Sequence, residues 1–313
     1  MAVARYPNSV QKRLIAYALV AASSMSAAII QDVRTAIEQN NFALGESHIK
    51  TYRAQYGVTP EMIAAMSWLG RGALAAKHLD KAEAYAKQTY DLAVAEMKKR
   101  ALDAEPHLPI ALGAAIEVES QVLAARGERD NAVVYLRAEL RKYRTTSIVT
   151  RIQKNINLLS LEGKPAPAID VTRSLGPKPQ PLAALRGKPV LLFFWAHWCG
   201  DCKAEVPILS RISQEYSGRI HVLGPTQHYG YVAQGEEATR DVETKYIDEV
   251  RQKYYARLAS MPVPVSEEAF RAYGSSTSPT LVLVDAKGIV RVYHPGSMTY
   301  EELKQALDRL VTP

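Results

Sequence analysis

The segment Val190-Leu191-Leu192-Phe193-Phe194-Trp195-Ala196-His197-Trp198-Cys199-Gly200-Asp201-Cys202 joins an apolar run to the only two cysteines of the chain. The apolar residues predict a buried strand over 189–196, and the residues that follow predict a helix over 200–216. Two cysteines separated by two residues in the first turn of a helix are close enough to form a small disulfide. The segment therefore predicts a cysteine pair placed where a buried strand ends.

The number and spacing of the cysteines restrict their chemistry. Two cysteines supply neither a disulfide framework nor the four ligands of a structural zinc site. Lys203 stands where a haem-attachment motif needs histidine. The remaining interpretation is a redox pair. Cys199 is predicted to be the nucleophile, because the unpaired N–H groups and the dipole of the helix favour its thiolate. Cys202 is then the resolving cysteine.

Length and charge set the broad class of the protein. At 313 residues, with 47% hydrophobic and 23% charged residues, the chain is typical of a globular protein with two domains. The formal net charge of +7 falls to +4 without Arg5, Lys12 and Arg13. Basic and acidic residues are interspersed along the chain, with no basic stripe and no interleaved aromatic platform, which argues against nucleic-acid binding.

Residues 1–27 have the order of a secretory signal. Three basic residues precede the apolar run 14–22, and small residues follow it at 23–28. This pattern predicts cleavage after Ala22 or Ala27 and an extracytoplasmic or periplasmic protein. The alternatives are an uncleaved membrane anchor and a first buried helix of the next domain.

Residues 28–160 have a helical pattern rich in alanine and leucine and predict an all-α domain of helical hairpins. Small residues recur near the turns: Ala43, Ala82 and Ala132 each stand just inside the second helix of a pair, where two helices approach closely. The predicted helices are 28–39, 41–55, 59–77, 80–100, 107–126, 128–143 and 146–160.

This region resembles tetratricopeptide repeats. Leu69-Gly70 lies twelve residues before Ala82, as in that pattern, whereas the spacings of 39 and 50 residues between the three alanines depart from a 34-residue period. The resemblance implies a peptide or protein partner of the helical domain.

Residues 161–167 predict a linker, because one glycine and two prolines end the helical pattern. Strands and helices alternate in the domain that follows, 168–313. The predicted strands are 189–196, 219–225, 280–285 and 289–294, and the predicted helices are 200–216, 240–257 and 299–311.

Three segments of this second domain resemble the exported thiol-disulfide oxidoreductases of the TlpA/ResA type. They are Phe194–Cys202, Lys203–Pro207, and Ser278–Asp285 with Gly288. The resemblance covers 164–313 and implies an α/β thioredoxin-like fold. It also implies protein thiol or disulfide substrates and a redox partner that recharges the cysteine pair. No cofactor is expected. The resemblance further implies that Pro279 is a cis-proline facing the cysteines and that the backbone of Ser278 pairs with a substrate strand.

Two departures from the thioredoxin pattern concern the proton and the charge of the site. Phe193 stands where thioredoxin has a buried aspartate. Glu205 matches an acid of the TlpA/ResA pattern, and the resemblance implies that it exchanges a proton with Cys202. The alternative for Glu205 is a solvated carboxylate on the helix surface. Asp201 between the cysteines opposes thiolate formation, and Lys203 compensates for it.

The side chains around the pair have further predicted roles. Trp198 shields the disulfide and offers an apolar contact to substrates, whereas Trp195 packs in the core. His197 points either toward the thiolate or away from it. Residues 227–240 lengthen the connection after the second core strand, and they form either a substrate surface or a solvent loop.

The sequence thus predicts a two-domain protein, all-α helical-hairpin followed by α/β thioredoxin-like, that exchanges disulfides with protein substrates. One alternative is a redox-sensing or partner-binding scaffold with little turnover, which would keep its partner after loss of both cysteines. The other is a peroxidase, which the absence of a Thr-x-x-Cys motif at this site disfavours.

Overall fold

The computed structural model describes residues 28–311, so the predicted signal or anchor at 1–27 lies outside the described residues. The described chain folds as two compact units. The first comprises residues 28–135 with 146–148, and the second comprises residues 136–145 with 149–311.

The first unit is all-α, as predicted, and two of its helices begin at a capping side chain. Helix α1 covers 28–38, and helices α2 to α6 cover Phe42–Tyr56, Pro60–Ala75, Leu79–Glu96, His107–Ala125 and Arg129–Lys142, the last crossing into the second unit. The Asn41 side chain accepts the N–H of Leu44 at 3.1 Å, and Thr59 Oγ1 accepts the N–H of Met62 at 3.3 Å. These bonds satisfy N–H groups that a helix start leaves unpaired.

Small residues allow the helices of this unit to approach closely, with one correction to the prediction. Ala82 and Ala132 are fully buried, as expected. Ala43 is exposed, which corrects the prediction for this residue. Helices α2 and α3 approach closely at Gly45 instead, where an added Cβ would lie 2.9 Å from Leu69 Cδ2. One turn of α2 presents only one side to its neighbour, and Phe42 and Gly45 occupy that side.

Helix α5 is the one helix within 28–311 that is long and apolar enough to cross a membrane by length and composition. About half of it, 56%, is buried, and its most enclosed residues, such as Leu108 and Leu112, have no exposed surface. A core helix of a helical unit has the same composition.

The second unit has a mixed four-stranded sheet in the order β3-β2-β5-β6 and a two-stranded pair β1-β4. Strand β2 is parallel to β3 and antiparallel to β5, which is antiparallel to β6. This confirms the predicted thioredoxin-like α/β fold. The strands β1 to β6 are Ser174–Leu175, Val190–Phe194, His221–Leu223, Val263–Pro264, Thr280–Val284 and Val290–Pro295, and the helices α7 to α12 are Val149–Ser160, Gly200–Ala204, Val206–Glu215, Arg240–Tyr254, Glu267–Ala272 and Tyr300–Val311.

Residues predicted as the last helix of the first domain and as a linker lie in the second unit. Asn157 Nδ2 on α7 donates to the carbonyl of Ala272, and the N–H of Gly163 donates to the carbonyl of Val290 at 2.8 Å. Helix α7 therefore packs with the second unit, and the predicted domain limits 28–160, 161–167 and 168–313 stay predictions.

Strand β2 separates two apolar clusters. Leu191 and Phe193 belong to the cluster that contains both cysteines, and Leu192 and Phe194 belong to the cluster on the opposite face. Because side chains alternate along a strand and both faces are covered, all five residues of β2 are buried. The unbroken apolar run in the sequence is therefore the signature of this central strand.

We expect Gly274→Ala to destabilise the second unit by about 2 kcal/mol or more in urea unfolding. Gly274 has φ +61°, and an added Cβ would lie 2.3 Å from the backbone nitrogen of Lys154 in α7, which cannot move without displacing the helix. Gly187→Ala is the matched control, because its φ of +97° is also positive but no atom lies within 4 Å. The control is expected to lose only about 1 kcal/mol for the left-handed backbone, and equal losses in the two variants would contradict the packing argument.

Candidate active site

The two cysteines lie at the start of α8, directly after the central strand. They form a disulfide with a Cα–Cα distance of 5.3 Å. Cys199 is the N-cap residue of α8 and its Sγ accepts the N–H of Cys202 at 3.0 Å. Cys199 retains 3% of its surface, whereas Cys202 is fully buried. An N–H aimed at Cys199 Sγ stabilises a negative charge on that sulfur once the disulfide opens.

The predicted helix 200–216 is two helices, because α8 ends before Glu205 and α9 begins after it. Pro207, in the first turn of α9, has no N–H to donate to the carbonyl of Lys203, so the helical ladder is interrupted there. The interruption places Glu205 at the junction, where its side chain turns inward.

Glu205 is a buried carboxyl group, with 3% of its surface exposed. Its Oε1 accepts the N–H of Met298 at 3.1 Å, and the side chain of Ser297 also donates to it. Burial raises the pKa of Glu205 above its ordinary value, and these two hydrogen bonds limit the rise. The solvated alternative for this residue is therefore wrong, and the carboxyl group holds a proton more readily than an exposed glutamate does.

Phe193 is fully buried and lies 6.2 Å from the ring of Tyr255, measured between ring centroids. The position that carries the buried aspartate in thioredoxin is thus part of an aromatic core here. Glu205, three residues after Cys202, accepts the N–H of Met298, a residue of the apolar cluster that contains the cysteines.

Ser278 and Pro279 lie at the same edge of the sheet as the cysteine segment. Phe194, the last residue of β2, pairs with Thr280, the first residue of β5, so the residues after β2 and the residues before β5 leave the sheet together. The Ser278–Pro279 peptide bond is cis, as the resemblance implied.

The two tryptophans of the segment have different environments. Trp195 is fully buried, and its Nε1 donates to the carbonyl of Gly224 at 2.8 Å. Trp198 is 49% exposed, and its ring lies 5.6 Å from the ring of Tyr229 in the long connection after β3. An exposed indole beside the disulfide is suited to an apolar contact with a partner.

The side chain of His197 turns away from solvent and pairs with Glu243 of α10, at 3.3 Å between Nε2 and Oε1. Burial lowers the pKa of His197, and the carboxylate beside it opposes that shift. Glu243 is itself fully buried. The burial of this glutamate was not predictable from the sequence, because one acid among the many charges of α10 carries no signal of burial.

The charged residues next to the cysteines are more exposed than this pair. Asp201 is exposed. The Nζ atom of Lys203 lies 4.6 Å from the ring centroid of Tyr254, in a cation–π contact.

A family model described as Redoxin matches residues 161–310. The thioredoxin-like protein YneN of Bacillus subtilis is 28% identical over 148 residues, which cover 47% of this chain and 79% of that protein. The thiol:disulfide interchange protein DsbE of Xylella fastidiosa is 30% identical over 149 residues, 47% of this chain and 68% of that protein. The thiol-disulfide oxidoreductase ResA of Geobacillus thermodenitrificans is 28% identical over 130 residues, 41% of this chain and 67% of that protein. With a disulfide at the start of α8 on a thioredoxin-like sheet, the chain belongs to the thioredoxin-like thiol-disulfide oxidoreductases and carries a Redoxin domain over residues 161–310.

Proposed function

We propose that the protein exchanges the Cys199–Cys202 disulfide, or its dithiol form, with protein substrates outside the cytoplasm. The observation that carries the proposal is that the disulfide after β2 and the Ser278–Pro279 segment before β5 lie at one edge of the sheet. The buried carboxyl group of Glu205, three residues after Cys202, accompanies them. These are the groups needed for a nucleophile, a proton carrier and a docking strand.

In the reducing direction, the Cys199 thiolate attacks one sulfur of a substrate disulfide, and the other substrate sulfur leaves as a thiolate. Cys202 then loses its proton to Glu205 and attacks Cys199 Sγ. The bond between Cys199 and the substrate breaks, and the second substrate sulfur leaves as a thiolate that takes the proton from Glu205. The substrate has gained two electrons and the protein has become the disulfide; the oxidising direction is the same sequence reversed.

The substrate chain docks beside this pair. The backbone of Ser278 pairs with an extended segment of the substrate, Pro279 faces the disulfide, and the exposed face of Trp198 contacts an apolar substrate side chain. Trp198 and Ser278 both approach Tyr229, so they flank one surface.

Purified protein is expected to react with dithiothreitol when oxidised and with glutathione disulfide when reduced, and to equilibrate with a glutathione redox buffer. The equilibrium gives the reduction potential of the pair, which distinguishes a reductant near about −270 mV from an oxidant near about −120 mV. If the folded protein reacts with neither reagent, the proposal is wrong. Negligible turnover with retained binding of a partner would favour the scaffold function instead.

Export is proposed from the order of basic, apolar and small residues in 1–27. Fusion of residues 1–40 to an alkaline phosphatase that lacks its own signal is expected to give active phosphatase in a Gram-negative host. A charge in the apolar run, Leu19→Arg, is the matched control and is expected to abolish that activity.

A tetratricopeptide-like role for the first unit is also a proposal. Gly70 of α3 supports it, because an added Cβ would lie 3.6 Å from Tyr85 Cβ and 3.7 Å from the Ala86 nitrogen of α4, the close approach that helical repeats use. Its partner would be a protein that the second unit oxidises or reduces.

A further inference from the structure

The connection between β3 and α10 is tied to the buried carboxylate of Glu243. Oε1 of Glu243 accepts the N–H of Tyr229 at 2.5 Å, and Oε2 accepts the N–H of Gly230 at 2.9 Å. A buried carboxylate is costly unless it is hydrogen-bonded, and here both oxygens receive backbone donors with His197 as a third neighbour. The two donors fix the backbone of the connection at residues 229 and 230.

The rest of the connection is ordered by its own hydrogen bonds. The N–H of Ala238 donates to the carbonyl of Gly230 at 2.9 Å, and the N–H of Val232 donates to the carbonyl of Glu236 at 2.8 Å. Tyr231 forms an antiparallel bridge with Glu237. These hydrogen bonds hold the backbone of the connection in one conformation, and they therefore fix the position from which the side chain of Tyr229 extends.

The side chain of Tyr229 connects the cysteine segment with the segment before β5. Its ring lies 5.6 Å from that of Trp198 and 6.4 Å from that of Phe270, with both pairs edge to face. The side chains of Gln227 and Ser278 lie beside its hydroxyl group. The residue packs against both apolar clusters, on either side of the sheet.

We infer that Tyr229 is a specificity-determining positioning residue, which holds Trp198 and Ser278 at a fixed separation so that an extended polypeptide engages both at once, and that Glu243 anchors it. The inference rests on the proposed docking of substrates at Trp198 and Ser278. The ring of Tyr229 packs against the apolar cluster that contains the cysteines, and its hydroxyl group faces Ser278. Because its contacts with Trp198 and Ser278 are contacts with the docking residues, we expect its loss to act on substrate binding rather than on the reactivity of Cys199.

The test compares a peptide substrate with a small one. The peptide is a synthetic decapeptide with one disulfide and extended flanking residues, and the small substrate is Ellman's reagent, which is too small to span Trp198 and Ser278. The variants are Tyr229→Phe, which removes only the hydroxyl group, Tyr229→Leu, which also removes the ring, and Glu243→Gln. Tyr293→Phe is the matched control, because it removes a buried hydroxyl that donates to the carbonyl of Tyr273 on the opposite face of the sheet.

Tyr229→Phe is expected to raise KM for the peptide about fivefold, the size of one polar contact, because it removes the hydroxyl group that faces Ser278. The kcat, the rate with Ellman's reagent and the reduction potential are expected to stay unchanged. Tyr229→Leu is expected to raise KM further, by about tenfold or more. Glu243→Gln is expected to raise KM in the same way, and the control is expected to match the wild-type protein in all four measurements.

An unchanged KM in both Tyr229 variants, or an equal loss of rate with both substrates, would overturn the inference. Thermal melting identifies a variant that fails to fold, and Tyr229→Phe, the smallest change, then decides the matter. A wild-type protein that reacts with neither substrate would overturn the proposed function, whereas a wild-type protein that reacts with Ellman's reagent and shows no saturation with the peptide would overturn the inference alone.

Discussion

Cys202→Ser is expected to convert the protein into a trap that accumulates a covalent mixed disulfide through Cys199. Attack of Cys199 on a substrate disulfide remains available, because its sulfur stays at the start of α8 with the N–H of residue 202 directed at it. Release requires the sulfur of residue 202, which serine lacks, so the second step stops. The adduct is detected by mass spectrometry or as a band shift that dithiothreitol reverses.

The reciprocal variant is the control for this result. Cys199→Ser is expected to form no adduct, because the remaining thiol, Cys202, is fully buried in the apolar cluster. Turnover should be lost in both variants. Equal trapping by the two variants would mean that the assignment of nucleophile and resolving cysteine is wrong.

Glu205→Gln is expected to slow the resolving step by about 10²-fold, the usual contribution of a positioned proton carrier. Glutamine retains an oxygen that accepts the N–H of Met298 but cannot take the proton of Cys202. Single-turnover kinetics separate this step from the first attack, which is expected to keep its rate. An unchanged rate of resolution would remove Glu205 from the mechanism.

The same variant is expected to be more stable than the wild-type protein at neutral pH. The pKa of Glu205 is raised in the folded state, so the unfolded chain loses the proton first as pH rises above the ordinary value of 4.5. The wild-type protein therefore loses stability between that value and the folded-state pKa, and the loss persists at higher pH. Below pH 4.5 the carboxyl group is protonated in both states, and the advantage of the variant is expected to disappear.

Glu215→Gln on α9 is the matched control, with the opposite sign. Hydrogen bonds from Tyr300 and Arg211 lower the pKa of this exposed carboxylate, so it stabilises the folded state at neutral pH and loses that contribution as pH falls. The control is expected to be slightly less stable at neutral pH and to exchange disulfides at the wild-type rate. Urea unfolding at pH 4 and pH 7 measures both variants.

The main features of the fold were predictable because they depend on local patterns in the sequence. The apolar run of β2 identified the central strand, and proline with glycine marked the ends of helices. The cis peptide at Pro279 was predictable only through the family resemblance. From the residues alone, a proline before a strand indicates no more than a position where a missing donor costs least.

What the sequence did not predict depends on contacts between distant segments. Glu243 is buried because the connection after β3 folds back onto α10, and an acid in a charged helix is ordinarily a surface residue. The burial of the Glu205 side chain depends on the break between α8 and α9. The sequence pattern predicted one continuous helix over 200–216 and gave no indication of this break. Both carboxyl groups are buried by tertiary packing, and the periodicity of a sequence carries no information about contacts between distant segments.

The contrast between Trp195 and Trp198 provides an optical reporter of the redox state. The chain has three tryptophans, and Trp68 lies in the first unit, where the guanidinium groups of Arg34 and Arg71 are 4.6 Å and 4.5 Å from its ring centroid. Disulfides quench nearby indole emission, and Trp198 is the exposed indole next to the cysteine pair. Opening the disulfide should therefore brighten the red-shifted part of the emission spectrum, from an indole in contact with water, while the blue part from the enclosed Trp195 changes in intensity without a shift in wavelength. The enzyme thus carries its own fluorescent signal for following electron transfer in real time.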